Sequence, residues 1–556
     1  MILVLKFDYR SSSQLYEKIF LRTLESFSLK GEIVKNHFDL RLYVEASTVQ
    51  ELESFSTQFS QDLPHSIFLH NMEAEIVNEM PSSDFVLDID TKMETSFCPK
   101  CLAEVNDSES PNYFNVFLSC QVCGYGVSGD KRSYKSEFEE VANQIKEGKV
   151  VELHTFYGRY CVGLPTNIPH KTEFDILAYD LATIEKYANV YDHELQALGS
   201  FEKPLVKLKV KPKFLIDFDG VDAKLLRFKL PDDLNFHLLM EVLHTMDINA
   251  LFITKEQIPF DLKLALTTLK KELSPIEVTV SEKDIVIVDG EKGLPKFPLT
   301  KEFVVPQLGA FNSLIKEHNL QGENIASIYL SKEHKSNIIV YGDKFGLVEY
   351  LSFNFEFYSI SEIFDKISDD DNAAKLVANY KKKFFEHYEK IIDIEFEDPM
   401  FSIYRFWGVV AIILGYTDTR DPDKGASILE ESASEFLGTK GPRIDYKLIT
   451  KDGKATLDPL MIVRTAMSFK LADVDQLTLC YGVVESFLEF IGNELDDIKD
   501  TMDTTAVTMS GSMLSNRHIF SKVSKEISIN NNIYFNNELP ISGRNVNYGG
   551  NEIKIQ

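Results

Sequence analysis

Two Cys-x-x-Cys pairs constrain the fold of this chain more than any other feature of its sequence. The pairs are Cys98-Pro-Lys-Cys101 and Cys120-Gln-Val-Cys123, with eighteen residues between them. This spacing is typical of a zinc site in which each short turn supplies two thiolates and the two turns close a tetrahedron. Four thiolates leave no position for water, so we expect a structural ion rather than a catalytic one. A chance pairing and a redox pair are the alternatives.

The composition indicates a multidomain protein of the cytoplasm. The 556 residues include 44% hydrophobic residues, enough for several folded cores. The longest apolar runs, such as 409–414, are too short to cross a bilayer, and the N-terminal ten residues lack the pattern of a signal peptide. Only two cysteines, Cys161 and Cys480, lie outside the zinc pairs. We expect both to be core residues, and we expect no membrane partner.

The charge of the chain disfavours nucleic acid as a partner. The formal net charge is −27, whereas nucleic-acid-binding proteins normally carry a basic face. One local basic run, KPLVKLKVKPK, spans residues 203–213. Its alternation of lysine with leucine and valine predicts a half-buried strand, with the lysines at a solvated sheet edge. We therefore expect no nucleic-acid partner.

Periodicity divides the chain into an N-terminal module, the cysteine segment and two longer α/β regions. The N-terminal module has the order β-α-β-β-α-β, which is typical of a ferredoxin-like fold. Its predicted strands are 2–7, 32–34, 40–44 and 68–77, with a turn at Asn36-His37, and its predicted helices are 14–28 and 48–59. Farther along, we predict helices at 136–147 and 235–246, strands at 149–155 and 250–254, and a strand-turn-helix at 506–524. This alternation favours α/β domains with largely parallel sheets.

Several stretches, taken in order, carry motifs of one known family. They are 31–36 (GEIVKN), 98–105 (CPKCLAEV), 120–124 (CQVCG), 146–153 (KEGKVVEL), 201–204 (FEKP), 402–415 (SIYRFWGVVAIILG), 510–516 (SGSMLSN) and 539–544 (LPISGR). Together they resemble the hydrogenase-maturation carbamoyltransferase (HypF) family, over nearly the whole chain. The resemblance implies a ferredoxin-like, acylphosphatase-like module at 1–90 and a zinc ribbon at 91–134. It also implies a YrdC-like α/β domain at 135–299 and an actin-like (ASKHA) carbamoyltransferase-like domain at 300–556.

The resemblance also implies a cofactor site, with ATP and carbamoyl phosphate as ligands and a hydrogenase-maturation protein as partner. Ser510, Gly511 and Asn516 match the family's nucleotide-binding turn, Arg405 is kept in the 402–415 motif, and Lys203 matches the end of a basic signature. A glycine turn before a helix lets backbone N–H groups approach a phosphate closely. The alternative is an ordinary strand-to-helix turn, capped by Ser515 or Asn516.

Other motif positions have changed, and we expect the family's chemistry to be weakened or lost. Ser542 stands where the family has a metal-binding aspartate, and Lys255-Glu-Gln stands where it has a Ser-Ala-Asn nucleotide motif. Residues 308–311 replace its paired metal histidines. The acylphosphatase phosphate loop is missing near 7–14, although Asn36 matches that domain's asparagine.

Single titratable residues in the C-terminal region are weak metal candidates. His318, His334 and His387 lack ligand spacing, and lone histidines are more often surface or packing residues. Asp343 lies in a Gly-Asp turn that could replace the family's Asp-Gly loop.

Two hypotheses follow. The chain is either a diverged, ATP-dependent carbamoyltransferase or a zinc-containing scaffold, a pseudoenzyme that binds or regulates a maturation protein.

Overall fold

The computed structural model describes residues 1–552, except 12, 37, 88–95, 121, 127–128, 222, 268–271, 295–304, 354, 398–401 and 452. His37, in the first predicted turn, lies outside this part. The chain divides into two compact units, which we call the first unit (1–278 and 289–296) and the second unit (279–288 and 297–556). The boundaries of the four domains expected from the sequence stay predictions. Throughout the described ranges, every helix is too short or too polar to cross a bilayer.

The N-terminal module of the first unit has the predicted β-α-β-β-α-β order. Its elements are β1 (Ile2–Tyr9), α1 (Leu15–Phe27), β2 (Lys30–Asn36), β3 (Asp39–Glu45), α2 (Val49–Asp62) and β4 (Leu69–Val77). The sheet is antiparallel, in the order β2-β3-β1-β4. Helix α2 begins as its sequence predicts, because Thr48 and Glu51 form a reciprocal capping box.

The cysteine segment contains a helix where a ribbon was expected. Helix α3 (Pro99–Asn106) begins directly after Cys98, and Pro99 occupies the first helical position, where no N–H is needed. No strand occurs among the described residues of 96–134. The segment predicted as a zinc ribbon is therefore partly helical, and its four cysteines are grouped as predicted.

A larger mixed sheet makes up the rest of the first unit. Its elements are α4 (Lys135–Lys146), β5 (Val151–His154), β6 (Arg159–Gly163), β7 (Asp175–Ala178), α5 (Leu181–Tyr187), β8 (Ala188–Asn189), α6 (Asp192–Leu198), β9 (Leu205–Val210), α7 (Pro212–Asp217), β10 (Leu225–Lys229), α8 (Leu234–His244), β11 (Ala250–Thr254), β12 (Leu262–Leu264) and β13 (Glu277–Val280). The strands follow the order β12-β5-β6-β11-β7-β10-β9-β13, with β8 beside β9.

Two predictions about this sheet are wrong. It is not largely parallel, because β5 and β6 form an antiparallel hairpin, and β11 is antiparallel to both its neighbours. A hairpin needs only a short turn, whereas a parallel pair needs a crossover. Strand β9, in the basic run, is not an edge strand either, since it pairs with β10 on one side and β13 on the other.

The second unit contains a second mixed sheet and most of the helices. Its elements are β14 (Ile285–Asp289), α9 (Pro306–His318), β15 (Ile325–Tyr329), β16 (Asn337–Gly342), β17 (Gly346–Ser352), α10 (Ile360–Ser368), α11 (Asp371–Lys383), α12 (Phe385–Ile391), α13 (Ile403–Ile413), α14 (Pro422–Glu435), β18 (Leu448–Lys451), β19 (Lys454–Leu457), α15 (Pro459–Leu471), α16 (Gln476–Met502), β20 (Ala506–Ser510), α17 (Arg517–Glu526), β21 (Ile533–Phe535) and α18 (Arg544–Glu552). The sheet order is β18-β19-β17-β16-β15-β20-β21, with β15, β20 and β21 parallel.

Helix α13 lies in the core of the second unit and carries the 402–415 motif. Trp407 is fully buried, and its indole N–H donates to the Tyr446 hydroxyl at 3.0 Å. Gly408 lets α14 approach closely, because a Cβ there would lie 1.7 Å from the Pro422 carbonyl oxygen. Glycine at position 408 is therefore required by this helix packing.

Candidate functional site

The four predicted zinc ligands form one buried cluster. The Sγ–Sγ distances are 3.7 Å for Cys98–Cys101, 3.8 Å for Cys98–Cys120 and 3.5 Å for Cys101–Cys123. Four sulfurs around a tetrahedral zinc ion, with Zn–S bonds of about 2.3 Å, lie about 3.8 Å apart. All four are buried, and they are the one group within the described ranges that could hold a metal ion. The donor set therefore fits zinc.

Neither the lone histidines nor the lone cysteines form a second metal group among the described residues. The imidazoles of His318 and His387 lie against backbone carbonyl oxygens, at 2.7 Å and 2.9 Å. Cys161 and Cys480 are buried, as predicted. Burial raises the pKa of Cys480 to about 12, so its thiol stays protonated near neutral pH.

The cysteine segment packs against helix α8 of the first unit. The backbone N–H of Leu234, at the start of α8, donates to the Tyr125 hydroxyl at 3.1 Å. One turn farther on, the His237 imidazole is hydrogen-bonded to Asn106 at 3.0 Å and lies 5.4 Å from the Phe97 ring. Burial, with a smaller contribution from the charge of Lys203, lowers the pKa of His237 to about 4. This histidine is therefore neutral at pH 7.

A buried group of charges lies just before α8. Asp232 receives Lys229 on one carboxylate oxygen and Lys292 on the other, each at 2.6 Å. The three side chains are at most 7% exposed. Burial alone would raise the pKa of Asp232, but the two ammonium groups outweigh it and hold that pKa well below its usual range. Burial lowers the pKa of Lys229.

Lys203, one of the predicted cofactor-binding residues, lies beside this charged group. Its backbone has a positive φ of 47°, and its neighbour Glu202 accepts hydrogen bonds from Ser66 Oγ at 2.7 Å and from the Ile67 N–H at 3.0 Å. The Lys203 ammonium lies 5.9 Å from the Phe97 ring centre. It has no hydrogen bond or ion pair with any described residue. Burial lowers its pKa.

A cavity of about 210 Å³ opens in the same unit. It is lined by Tyr160, Glu173, Phe174, Asp175, Leu205, Arg227, Ile253, Thr254, Lys255, Glu256, Ser274, Pro275, Glu277 and Asp289. Arg227 pairs with Asp175 at 2.5 Å and with Glu277 at 3.4 Å. The residues that replace the Ser-Ala-Asn motif therefore contribute two charged side chains, Lys255 and Glu256, to the cavity wall.

In the second unit, the predicted phosphate turn follows β20. Ser510 is buried, donates to Asn536 Oδ1 at 2.6 Å and accepts from Asn545 Nδ2 at 2.7 Å. Gly511 has a φ of 112°, and a Cβ there would lie 2.2 Å from the Leu330 carbonyl oxygen. The hydroxyl of Ser510 is thus already engaged by two amides, and the close approach at Gly511 is to a neighbouring strand end.

The structure brings the 402–415 and 510–516 motifs together at the carboxyl ends of β15 and β20. The loop after β15 links them, because Ser402 Oγ donates to the Ser331 carbonyl at 2.6 Å. The Lys332 N–H donates to Ser512 Oγ at 2.9 Å. Ligands of α/β sheets commonly bind outside the carboxyl ends of parallel strands. The two motifs therefore share one candidate site.

The charged side chains of this site are paired with one another. Lys332 Nζ lies 3.0 Å from the buried Glu430 carboxylate, to which Tyr404 also donates at 3.1 Å. The Arg405 guanidinium lies 3.1 Å from Asp423.

Asn516 caps helix α17, with its side-chain oxygen accepting from the Ile519 N–H at 3.1 Å. The sequence allowed either a nucleotide-binding turn or an ordinary strand-to-helix turn capped by Ser515 or Asn516, and the Asn516 cap belongs to the second of these. The roles of Ser510, Gly511, Asn516, Arg405 and Lys203 in cofactor binding stay predictions.

Several residues of the candidate sites in the two units were not predicted as site residues from the sequence. They are Lys229, Asp232, Lys255, Lys292, Tyr160, Lys332, Tyr404 and Glu430. Arg227 and Lys229 alternate with Leu226 and Phe228 along β10, so a charged strand face was the available signal. The partners of Arg227 are Asp175 and Glu277, which lie about 50 positions away in the sequence. No local sequence pattern indicates such pairs.

Known proteins resemble the chain over nearly its whole length. Protein HydE of Wolinella succinogenes is 26% identical over 526 residues, covering 91% of this chain and 93% of HydE. No protein-family model matches the chain. Full-length HypF in a phosphate- and nucleotide-bound form aligns over 99% of this chain and 98% of its own, with 14% identity and a TM-score of 0.67. HypF of T. kodakarensis aligns over 99% and 97%, with 12% identity and a TM-score of 0.70. The resemblance to HypF is thereby confirmed at the level of architecture: the chain has the multidomain α/β fold of full-length HypF.

Proposed function

We propose that the chain is a HypF-like hydrogenase-maturation protein with diverged ATP-dependent carbamoyl-transfer chemistry. The observation that carries the proposal is the alignment with full-length HypF over 99% of this chain. An alignment of this extent covers the N-terminal module, the cysteine segment and both larger α/β regions in their order. One of these HypF structures is a phosphate- and nucleotide-bound form, which supports phosphate-containing ligands for this chain.

Lys203 supports an anionic ligand in the first unit. Its ammonium is largely buried and forms no ion pair in the described part of the chain, although the more distant carboxylates of Asp232 and Glu202 act on it electrostatically. A buried, unpaired ammonium is costly, and an anion such as a phosphate offsets that cost. Carbamoyl phosphate and the phosphates of ATP both supply such a group.

Zinc, when bound by the four cysteines, would fix the fold of the segment around them. Closed four-thiolate sites supply folding energy and no open coordination position. The segment contributes Tyr125 and Asn106 to the packing of α8, the helix that follows Asp232. The cysteine cluster therefore supports the geometry of the first unit, and its own part in the reaction is structural.

A specific observation favours the second candidate function, a non-catalytic scaffold that binds a maturation protein. In the second unit, the candidate site is internally paired: Lys332 with Glu430, Arg405 with Asp423, and Ser510 with two asparagines. A ligand would have to displace these partners. Ser542 also stands where the family has a metal-binding aspartate.

The test is carbamoyl-phosphate-dependent exchange of labelled pyrophosphate into ATP, with an authentic HypF as the positive control. Adenylate formation releases pyrophosphate from ATP, so its reversal places the label in ATP. The variants are Lys203→Gln for the first unit and Ser510→Ala for the second. Lys131→Gln, an exposed lysine of the first unit, is the matched control.

Exchange that is lost in Lys203→Gln, but kept in Lys131→Gln, would support the enzyme and its anion site. Exchange that survives both Lys203→Gln and Ser510→Ala would keep the enzyme and refute those two residues. Absence of exchange, together with absence of ATP binding by calorimetry, would leave the scaffold as the function.

A further inference from the structure

Strand β4 of the N-terminal module is exposed along its outer edge. It comes last in the sheet order β2-β3-β1-β4, and no strand in the described part of the chain pairs with its other side. Residues 70–76 are all exposed, and the first and last residues of the strand, Leu69 and Val77, are half-buried. An open edge of nine residues is a template on which another extended chain can pair.

The alternation of the hydrogen bonds shows which backbone groups of β4 point outward. In β1 the odd-numbered residues bond to β3, since the Tyr9 N–H donates to the Phe38 carbonyl at 3.0 Å. The even-numbered residues of β1 therefore bond to β4, where residues 71, 73, 75 and 77 stand opposite them. The backbone groups of residues 72, 74 and 76 consequently point away from the sheet. The Met72 N–H agrees with this direction, because it donates to the Asn71 side-chain oxygen at 2.9 Å.

The face of β4 on the helix side of the sheet is apolar. It carries Met72 and Ile76, which are 51% and 59% exposed. Met72 stands opposite Phe7 of β1, and the centre of the Phe7 ring lies 5.6 Å from that of Tyr16 in α1. Met72 and Ile76 therefore lie on the core face of the sheet, beyond the cover of the helices. Apolar side chains on an added strand would bury them.

The other face of β4 is acidic. It carries Glu73 and Glu75; Lys6 lies 2.6 Å from the Glu75 carboxylate, whereas Glu73 accepts from the uncharged Asn71 amide at 3.1 Å. Residues 69–87 include four acidic residues and one histidine, but no lysine or arginine. Such an edge favours a basic strand. It disfavours a second copy of itself, because like charges opposite each other destabilise a sheet.

We propose that the outer edge of β4 binds an extended basic segment of a partner protein as an added strand. The backbone of that segment bonds to the outward groups of Ala74 and Ile76. Its apolar residues lie on the face of Met72 and Ile76, and lysines or arginines alternate with them on the face of Glu73 and Glu75. The main-chain bonds supply affinity, and the alternating side chains supply specificity. This surface belongs to the N-terminal module, so the proposal does not depend on the proposed carbamoyl transfer.

The test is a fluorescence-anisotropy titration of the full chain with three labelled peptides. The first alternates lysine and valine (Lys-Val-Lys-Val-Lys-Val-Lys), the second has glutamate in place of each lysine, and the third is the first peptide with every backbone nitrogen methylated. Only the first should bind saturably, since the second reverses the charge and the third cannot donate main-chain hydrogen bonds.

Three variants of the chain locate the binding. Ala74→Pro should abolish it, because proline removes one outward N–H and blocks an approaching strand, and an edge strand tolerates proline where that N–H faces solvent. Glu73→Gln should weaken binding by up to about fivefold, the contribution of one cross-strand charge pair. Glu53→Gln, at an exposed glutamate of α2, is the matched control and should leave the affinity unchanged.

The thermal transition of Ala74→Pro is measured first. If that transition is lowered, the methylated peptide decides, because it tests the same bonds on the unaltered chain. Binding of the basic peptide that is lost on methylation and weakened in Glu73→Gln supports the proposal. Equal binding of the glutamate or methylated peptide, no binding of the basic peptide, or unchanged affinity in a folded Ala74→Pro protein would overturn it. A dimer in sedimentation that Ala74→Pro dissociates would overturn it too, since the occupant would then be a second copy of the chain.

Discussion

Replacing Asp232 by asparagine should destabilise the first unit far more than its small change in shape suggests. The wild-type carboxylate holds Lys229 and Lys292 at 2.6 Å each, with all three side chains buried. Asparagine keeps the volume and removes the charge. Two ammonium groups then face each other in the interior without a counter-ion.

The magnitude follows from the burial of the group. Removing one partner of a buried ion pair costs about 3–5 kcal/mol, because it leaves an uncompensated charge. The matched control is Asp217→Asn, which also removes a carboxylate shared by two lysines, Lys186 and Lys213. That group is at the surface, where such pairs contribute little. The double variant Asp232→Asn/Lys292→Met should recover part of the lost stability, since one of the two opposed charges is gone.

The sign of the pH dependence gives a second check. In Asp232→Asn, the folded-state pKa of Lys229 falls further below that of the unfolded chain. Between those two pKa values the unfolded chain binds more protons, so the stability of the variant should rise with pH. The loss should therefore be larger at pH 7 than at pH 9.

Hydrogen exchange measured by mass spectrometry is the appropriate assay. Two compact units make a single two-state transition an unsafe assumption, whereas amide exchange reports the opening of each segment. Exchange in β10 and in the first turn of α8 should accelerate strongly in Asp232→Asn and little in Asp217→Asn. Equal acceleration in the two variants would refute the argument from burial.

Three further predictions concern the cysteines, His237 and Gly511. Cys101→Ser should lower the bound zinc measured by atomic emission from one ion to well below one per chain, and chelation of wild-type zinc should expose α3 to proteolysis. The folded-state pKa of His237, about 4, lies below its ordinary 6.5. The unfolded chain therefore binds the proton first, and about 3 kcal/mol of stability is lost as pH falls from 6.5 to 4. His237→Gln should flatten this pH dependence in urea titrations, and an unchanged slope would contradict it. Gly511→Ala should lower the thermal transition, because the new Cβ would meet the Leu330 carbonyl at 2.2 Å and the backbone φ is 112°. Ser512→Ala removes the hydrogen bond from the Lys332 N–H without straining the backbone, so it should lower the transition much less.

Local patterns in the sequence predicted the elements of the fold well. Helix α2 and strand β11 were placed correctly because a capping box and a continuous apolar run are features of neighbouring residues. The direction in which strands pair was not predicted. Strand β10 runs parallel to β7 and antiparallel to β9, and this choice depends on long-range packing.

The contrast between local patterns and long-range packing also explains which site residues were predicted and which were missed. The cysteines were grouped correctly, since four ligands at short spacing carry their chemistry in the sequence. Asp232 and Lys292 are 60 positions apart, and each looks like an ordinary surface charge until the fold buries both. Single charged residues in a chain with 26% charged residues give no sign of which will be enclosed.

Two parts of the first unit outside its larger sheet act on Lys203. The N-terminal module binds the neighbouring Glu202 side chain through Ser66 and the Ile67 N–H. The cysteine segment places the Phe97 ring near the Lys203 ammonium. Both contacts lie within the first unit and constrain the backbone at a positive φ, which a lysine adopts at an energetic cost. That cost is sustained only where the surroundings fix the conformation. A zinc ion bound by the four cysteines would hold the segment that carries Phe97, and it would therefore shape the predicted anion site without touching any ligand bound there.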